Sequence, residues 1–222
     1  MFEVDTVAFD MDGTLLDSKQ LAVDAVLGAF NELCADLPDL KKPSELEIIH
    51  RVGNPSDDFY QGFLPDWGEH LLPRLRRRAF EIECAILKRG EASLFEGVAN
   101  VLQQLKDTGY KLILVSNCGP GYLNAVSEAC DLEQYFDIRD CIGAKGGGRH
   151  KTQVLRENLS TLESQNAIMV GDRIHDLEAA RENDCHFAAA LYGFGKANEL
   201  AECDLELHEI KQLCDALSLT KR

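Results

Sequence analysis

Short apolar runs, each ending in an acid, a hydroxyl or a glycine, alternate with amphipathic stretches along this chain, and that alternation limits its fold more than any other feature. Residues 4–9 alternate and then turn fully apolar at Val7, Ala8 and Phe9, as a buried strand does. Lys111-Leu112-Ile113-Leu114-Val115, residues 138–142, Ala167-Ile168-Met169-Val170 and residues 187–191 read as further short strands. Between them Val98, Val101, Leu102 and Leu105 mark one helical face, and helices are expected over 121–130, 152–163 and 175–183. Two terminal helices are expected after 191. Strands alternating with helices predict an α/β fold, a Rossmann-like parallel sheet core with helices on both faces.

The stretch 18–90 has a different texture. Leu21, Ala25, Val26, Ala29, Phe30 and Leu33 share a helical face, and the prolines at 38 and 43 bracket its break. Ser44-Glu45-Leu46-Glu47 is a capping-box pattern opening a short helix. Gly53-Asn54-Pro55-Ser56-Asp57 reads as a turn into another helix, and a long helix is expected over 69–89 with Pro73 tolerated in its first turn. No strand is legible there. The expected organisation is a core of 1–17 and 91–222 interrupted by an all-helical cap at 18–90, which 222 residues can accommodate.

The balance of charge narrows the partners. A formal net charge of −15 disfavours nucleic acid and anionic membranes but leaves room for a small anion held at a locally positive site. No apolar run is long enough to span a bilayer, and the acidic N-terminus lacks the features of a secretory signal, so a cytoplasmic location is expected. Eight cysteines without a C-x-x-C pair are read as reduced thiols rather than a zinc site.

In an open parallel sheet, ligands gather at the carboxyl ends of the strands. The first strand here ends in Asp10-Met11-Asp12-Gly13-Thr14, and the 112–115 strand in Ser116-Asn117. Lys151 follows a glycine-rich loop, and the 167–170 strand ends in Gly171-Asp172-Arg173-Ile174-His175-Asp176. Taken singly, these are ordinary: a solvated turn, a helix cap, an exposed lysine, first-turn acids. In this order, each at a strand end, they predict carboxylates, a hydroxyl and an ammonium converging on one rim. A nucleotide-binding loop is disfavoured, because Arg149 and His150 separate the last glycine from Lys151-Thr152.

The constellation resembles the haloacid dehalogenase superfamily over nearly the whole chain. The 171–176 segment, with Ala180, Asn183, Leu191-Tyr192-Gly193-Phe194-Gly195 and Leu132-Glu133-Gln134-Tyr135-Phe136-Asp137, is similar to the phosphoglycolate phosphatase-like branch. The resemblance implies hydrolysis of a small phosphate monoester. Asp10 would be the nucleophile forming an aspartyl-phosphate, and Asp12 the acid and then base. Asp10, the Asp12 carbonyl and Asp172 would hold Mg²⁺. Ser116, Asn117 and Lys151 would hold the phosphate, while Asp176 and Thr14 would support these groups from behind.

Two departures stand out. The lysine is not followed by proline, and Lys145 competes with Lys151, which is favoured because it opens a helix. Asp184 stands where relatives commonly have glycine, though Asn183-Asp184 can take a left-handed cap. The alternatives are a sugar phosphomutase, a 5'-nucleotidase and a non-catalytic, phospho-accepting receiver-like module. The mutase is disfavoured by Thr14 in place of valine and by Ala22 in place of a histidine, a dehalogenase by the presence of Asp12. The expected partner is a small phosphorylated metabolite, its specificity set in the cap by Arg51 first, with His50 and Arg76 as further candidates. Leu71, Leu72 and Leu75 could pack internally or across a homodimer, so monomer and dimer both stay open.

Overall fold

The computed structural model describes residues 2–217. Its core is a six-stranded parallel sheet. The strands are β1 (Thr6–Phe9), β4 (Lys111–Ser116), β5 (Ile138–Cys141), β6 (Ala167–Gly171), β7 (His186–Ala190) and β8 (Leu205–Leu207), in spatial order β5-β4-β1-β6-β7-β8. Each strand carries side chains alternately to the two faces, so apolar residues are needed on both. Val7 and Phe9 of β1 join Leu112, Leu114, Ile168 and Val170 in one buried layer. Ala8 joins Ile113, Val115, Met169 and Phe187 in the other.

Helices cover both layers. On the first face lie α5 (Val98–Asp107), α6 (Pro120–Ala129) and α9 (Gln212–Ala216), through Val101, Leu105, Val126 and Leu213. On the second lie α7 (Lys151–Thr161) and α8 (Ile174–Arg181), through Val154, Leu155, Leu177 and Ala180. Each fully buried Leu, Ile or Phe contributes roughly 1.5–3 kcal/mol, which makes these layers the main stabilising term.

A two-stranded antiparallel ribbon, β2 (Leu16–Asp17) with β3 (Ser93–Leu94), marks where the chain leaves the sheet and returns. Between them lies a helical cap: α1 (Lys19–Asp36), α2 (Glu45–Ile49), α3 (Ser56–Gln61), a 3₁₀ turn at Asp66–Leu71, and α4 (Leu72–Lys88). The Ser44–Glu47 capping box forms as expected. The cap has its own apolar centre of Val26, Phe30, Leu33, Ile48, Leu75 and Ala79. Leu71 and Leu75 are buried within it, and Leu72 packs against it.

The expectation of two helices after residue 191 is corrected. Leu205–Leu207 is a sixth strand, parallel to β7, and only a 3₁₀ turn (Ala197–Glu199) and α9 are helical among the described residues beyond β7. Three residues, Leu-Glu-Leu, are too few to display a period. The β2/β3 ribbon escaped notice for the same reason. Asp184 takes φ +53°, the left-handed conformation that ends the α8 segment. All eight cysteines are free thiols. Among the described residues no helix is long and apolar enough to cross a membrane.

Candidate active site

The site begins with strand register. Phe9 lies opposite Leu114 on one side and Val170 on the other, so β1, β4 and β6 end side by side. Asp10 follows β1, its amide donating to the Val170 carbonyl at 2.9 Å, and Asp172 follows β6. Ser116 ends β4, and Asn117 comes next. Strand order reverses around β1, and crevices for ligands open at such points.

The chain turns sharply after Asp10. Gly13 has φ +87°, and a Cβ there would collide with the Asp172 carboxylate, so a side chain is excluded by conformation and by space. Within this turn the two acids face different partners. Asp10 accepts a hydrogen bond from Lys151 Nζ. Asp12 Oδ1 accepts from the Tyr122 hydroxyl at 2.9 Å.

Lys151 is the first residue of α7 and only 5% exposed, so its ammonium survives burial through its partners. It donates to Asp10 and, at 2.6 Å, to Asp176 Oδ1. Burial alone would lower its pKa, but Asp10 and Asp176 outweigh that and raise it above the ordinary lysine value. Asp176 Oδ2 also accepts from the Arg173 amide at 3.0 Å, which fixes the carboxylate to the first turn of α8. The competing Lys145 is 63% exposed and pairs with Glu157 at 3.2 Å, away from this cluster.

Oxygen atoms of Asp10, Asp172 and Asp176 lie within 4.8 Å of one another, all buried. Asp172 Oδ2 accepts from the Phe194 and Gly195 amides at 2.7 and 3.2 Å, and Thr14 Oγ1 stands 3.5 Å from Oδ1. The Lys151 ammonium pairs with two of these three carboxylates, Asp10 and Asp176. Burial lifts Asp10 well above the usual carboxylate range, and burial followed by the Asp176 charge lifts Asp172 to about 7. Such a cluster, all hard oxygen and short of positive charge, suits a divalent cation such as Mg²⁺.

Ser116 Oγ accepts from the Cys118 amide at 3.3 Å. Asn117 also binds the cap: its Nδ2 donates to the Gly53 carbonyl at 2.8 Å, and its carbonyl accepts from the Ser56 amide at 3.2 Å. Arg173 reaches across as well, donating to the Val52 carbonyl and to Asn54 Oδ1 at 3.3 Å.

Above the cluster is a cavity of about 570 Å³, bounded by Asp10, Asp12, Ser116 and Asn117 below and by cap residues above. Arg51 does not line it. Its guanidinium lies over the Phe63 ring, 5.4 Å from the centroid, inside the cap. Arg76 lines the cavity and is ion-paired with Asp57. His50 offers its carbonyl to Arg173 at 3.5 Å.

Sequence reasoning missed Tyr122, Arg173, Tyr60 and Glu83. Glu83 carried a readable signal. It falls on the apolar stripe of Leu75, Ala79 and Ile86, where a charged residue is out of place. Tyr122 and Arg173 carried none, since both act through contacts remote in sequence.

Comparison with known proteins agrees with this geometry. Residues 7–190 match the haloacid dehalogenase-like hydrolase family. A 5'-nucleotidase of Pseudomonas aeruginosa is 26% identical over 202 residues, covering 87% of this chain and 86% of that protein. A phosphoglycolate phosphatase of Escherichia coli O157:H7 is 28% identical over 242 residues, covering 96% and 92%. A haloacid dehalogenase-like family hydrolase from Streptococcus pneumoniae shares the fold with a TM-score of 0.82 at 22% identity, covering 96% and 98%. With its family match running from β1 to the end of β7 and its acids gathered at the ends of the central strands, this chain belongs to the haloacid dehalogenase-like hydrolases.

Proposed function

We propose that this protein is a Mg²⁺-dependent phosphatase that hydrolyses a small phosphorylated metabolite through an aspartyl-phosphate intermediate. The observation that carries the reading is the Asp10–Lys151–Asp176 chain of charge-assisted hydrogen bonds at the strand ends, with Asp172 beside it. Asp10 attacks phosphorus and forms the acyl phosphate as the substrate's ester oxygen leaves. Asp12 gives that oxygen a proton. Burial raises its pKa, which favours the protonated form needed for this, and Tyr122 orients the carboxyl. Asp12 then takes a proton from the water that cleaves the acyl phosphate, returning Asp10 free.

Ser116, the Asn117 amide and Lys151 hold the phosphate oxygens, and Lys151 offsets charge developing on them. Asp176 positions Lys151. Asp10, the Asp12 carbonyl and Asp172 would hold Mg²⁺, which when bound offsets the repulsion between an anionic phosphate and an anionic nucleophile. The cap over 18–90 closes the cavity and contacts the leaving group.

Phosphate release from a panel of monoesters, with and without Mg²⁺, tests the reading. Turnover of p-nitrophenyl phosphate is expected with Mg²⁺, lost with chelator and lost in Asp10→Asn. Turnover surviving in that variant would remove Asp10 as nucleophile. Transfer of phosphate between positions of a sugar, without release, would favour the mutase instead.

A further inference from the structure

The cavity is much larger than a phosphate group, and its far wall has a definite chemistry. Phe59, Tyr60, Phe80 and Tyr122 supply aromatic surface. Among them lies Glu83, on α4, only 8% exposed yet lining the cavity. The Tyr60 hydroxyl, itself buried, donates to Glu83 Oε1 at 3.3 Å. Burial, and then the negative charge of Asp12, hold the Glu83 carboxyl up at about 8, with the Tyr60 hydrogen bond pulling only partly the other way. Two arginines line the cavity, Arg76 and Arg77, with side chains 42% and 74% exposed, and Arg76 is engaged by Asp57.

A buried acid on an otherwise apolar stripe is costly unless a partner repays it. The Tyr60 hydroxyl satisfies one oxygen. Glu83 lines the cavity, so its remaining acceptor capacity is available to a group bound there.

We propose that Glu83 and Tyr60 form the leaving-group subsite, selecting phosphate monoesters whose leaving group carries a hydroxyl or amine and rejecting those that carry a carboxylate. This rests on the phosphatase reading above and sharpens it. A hydroxyl donates to Glu83 in either protonation state, and an amine draws it into the ionised form and pairs with it. A carboxylate brought to the same wall meets a second acid and, among the described residues lining the cavity, only the partly exposed Arg76 and Arg77, so its desolvation goes poorly compensated. The aromatic walls suit the apolar faces of a sugar or a short carbon chain. Phosphoglycolate, the substrate in the name of one relative, is on this argument a poor fit for this chain.

The test compares kcat/KM of the Mg²⁺-loaded protein on p-nitrophenyl phosphate, glucose 6-phosphate, phosphoethanolamine and phosphoglycolate. Wild type is expected to prefer one of the two donor-bearing metabolites over phosphoglycolate by about a hundredfold, the scale set by leaving a buried polar group unpaired. Glu83→Gln keeps shape and adds an N–H donor that a carboxylate can use. It is expected to cut the phosphoethanolamine-to-phosphoglycolate ratio about tenfold or more, mainly through KM. Tyr60→Phe, which retains the ring, is expected to move the same ratio in the same direction, and it serves if the Glu83 variant does not fold.

Phosphoglycolate turned over as well as the donor-bearing substrates would overturn the proposal while leaving the phosphatase reading intact. So would variants that slow all four substrates by one common factor, the mark of a merely structural pair. No release from any of the four, p-nitrophenyl phosphate included, would instead take down the phosphatase reading and this inference with it.

Discussion

At the scale of single residues, the molecule separates charges that must be neutralised from one that is kept neutral. Lys151 is buried and held cationic by Asp10 and Asp176, so it ties the two carboxylates together at the strand ends. Glu83 has no cation to match. Its folded pKa, about 8, lies above the ordinary 4.5, so below 4.5 both folded and unfolded states hold the proton. As pH rises from there to 8, the unfolded chain ionises while the folded one does not, and stability drains away at up to about 1.4 kcal/mol per pH unit from this group. Glu83→Gln cannot ionise. Urea unfolding at pH 6 and pH 8 is therefore expected to show a steeper decline for wild type than for the variant. Parallel declines would mean that Glu83 is already ionised in the folded protein.

At the scale of elements, the loop that delivers Lys151 is the point of interest. Its three consecutive glycines, Gly146, Gly147 and Gly148, are all left-handed, and a Cβ on any of them would meet open space. Order comes from Arg149, whose guanidinium grips Asp140 at the end of β5 with hydrogen bonds of 2.7 and 3.0 Å. It also donates to the Cys141 carbonyl and to Glu157 of α7. This ties β5, the loop and the start of α7 into one piece. Arg149→Ala is expected to lower kcat/KM on p-nitrophenyl phosphate about tenfold while leaving the far-ultraviolet spectrum and the assembled sheet intact, because it loosens Lys151 without touching the phosphate. An unchanged rate would show that α7 alone positions the lysine. The short strands β2 and β8 make the complementary point. Two and three residues cannot carry a hydrophobic period, and they form because neighbouring backbone is already in place to pair with them.

At the scale of the whole molecule, cap and core meet through polar contacts at the site itself. Arg173, next to Asp172, donates to cap carbonyls and to Asn54, and Asn117 donates to Gly53. The cap is thus tied to the core through residues next to Asp172 and Ser116. Arg173→Ala is expected to speed amide exchange around residues 50–56 and to raise KM severalfold, with little change in global unfolding. Protection there equal to wild type would assign closure to the apolar contacts alone. The ends of β1, β4 and β6, the acids following β1 and β6, and the change of texture after residue 18 were legible in the sequence, because periodicity, prolines and strand-terminal acids are local facts. Asp10, Asp12, Ser116 and Asp172 could be picked out this way, and Lys151 was favoured over Lys145 because it opens a helix. Which lysine enters the cluster, where Arg51 points, and the pairing of Tyr122 with Asp12 and Tyr60 with Glu83 depended on elements far apart in the chain packing at fixed angles. Local chemistry determined which groups this protein carries; only tertiary packing decided which of them meet, because burial and distance, and hence every shifted pKa, exist only once the chain has folded.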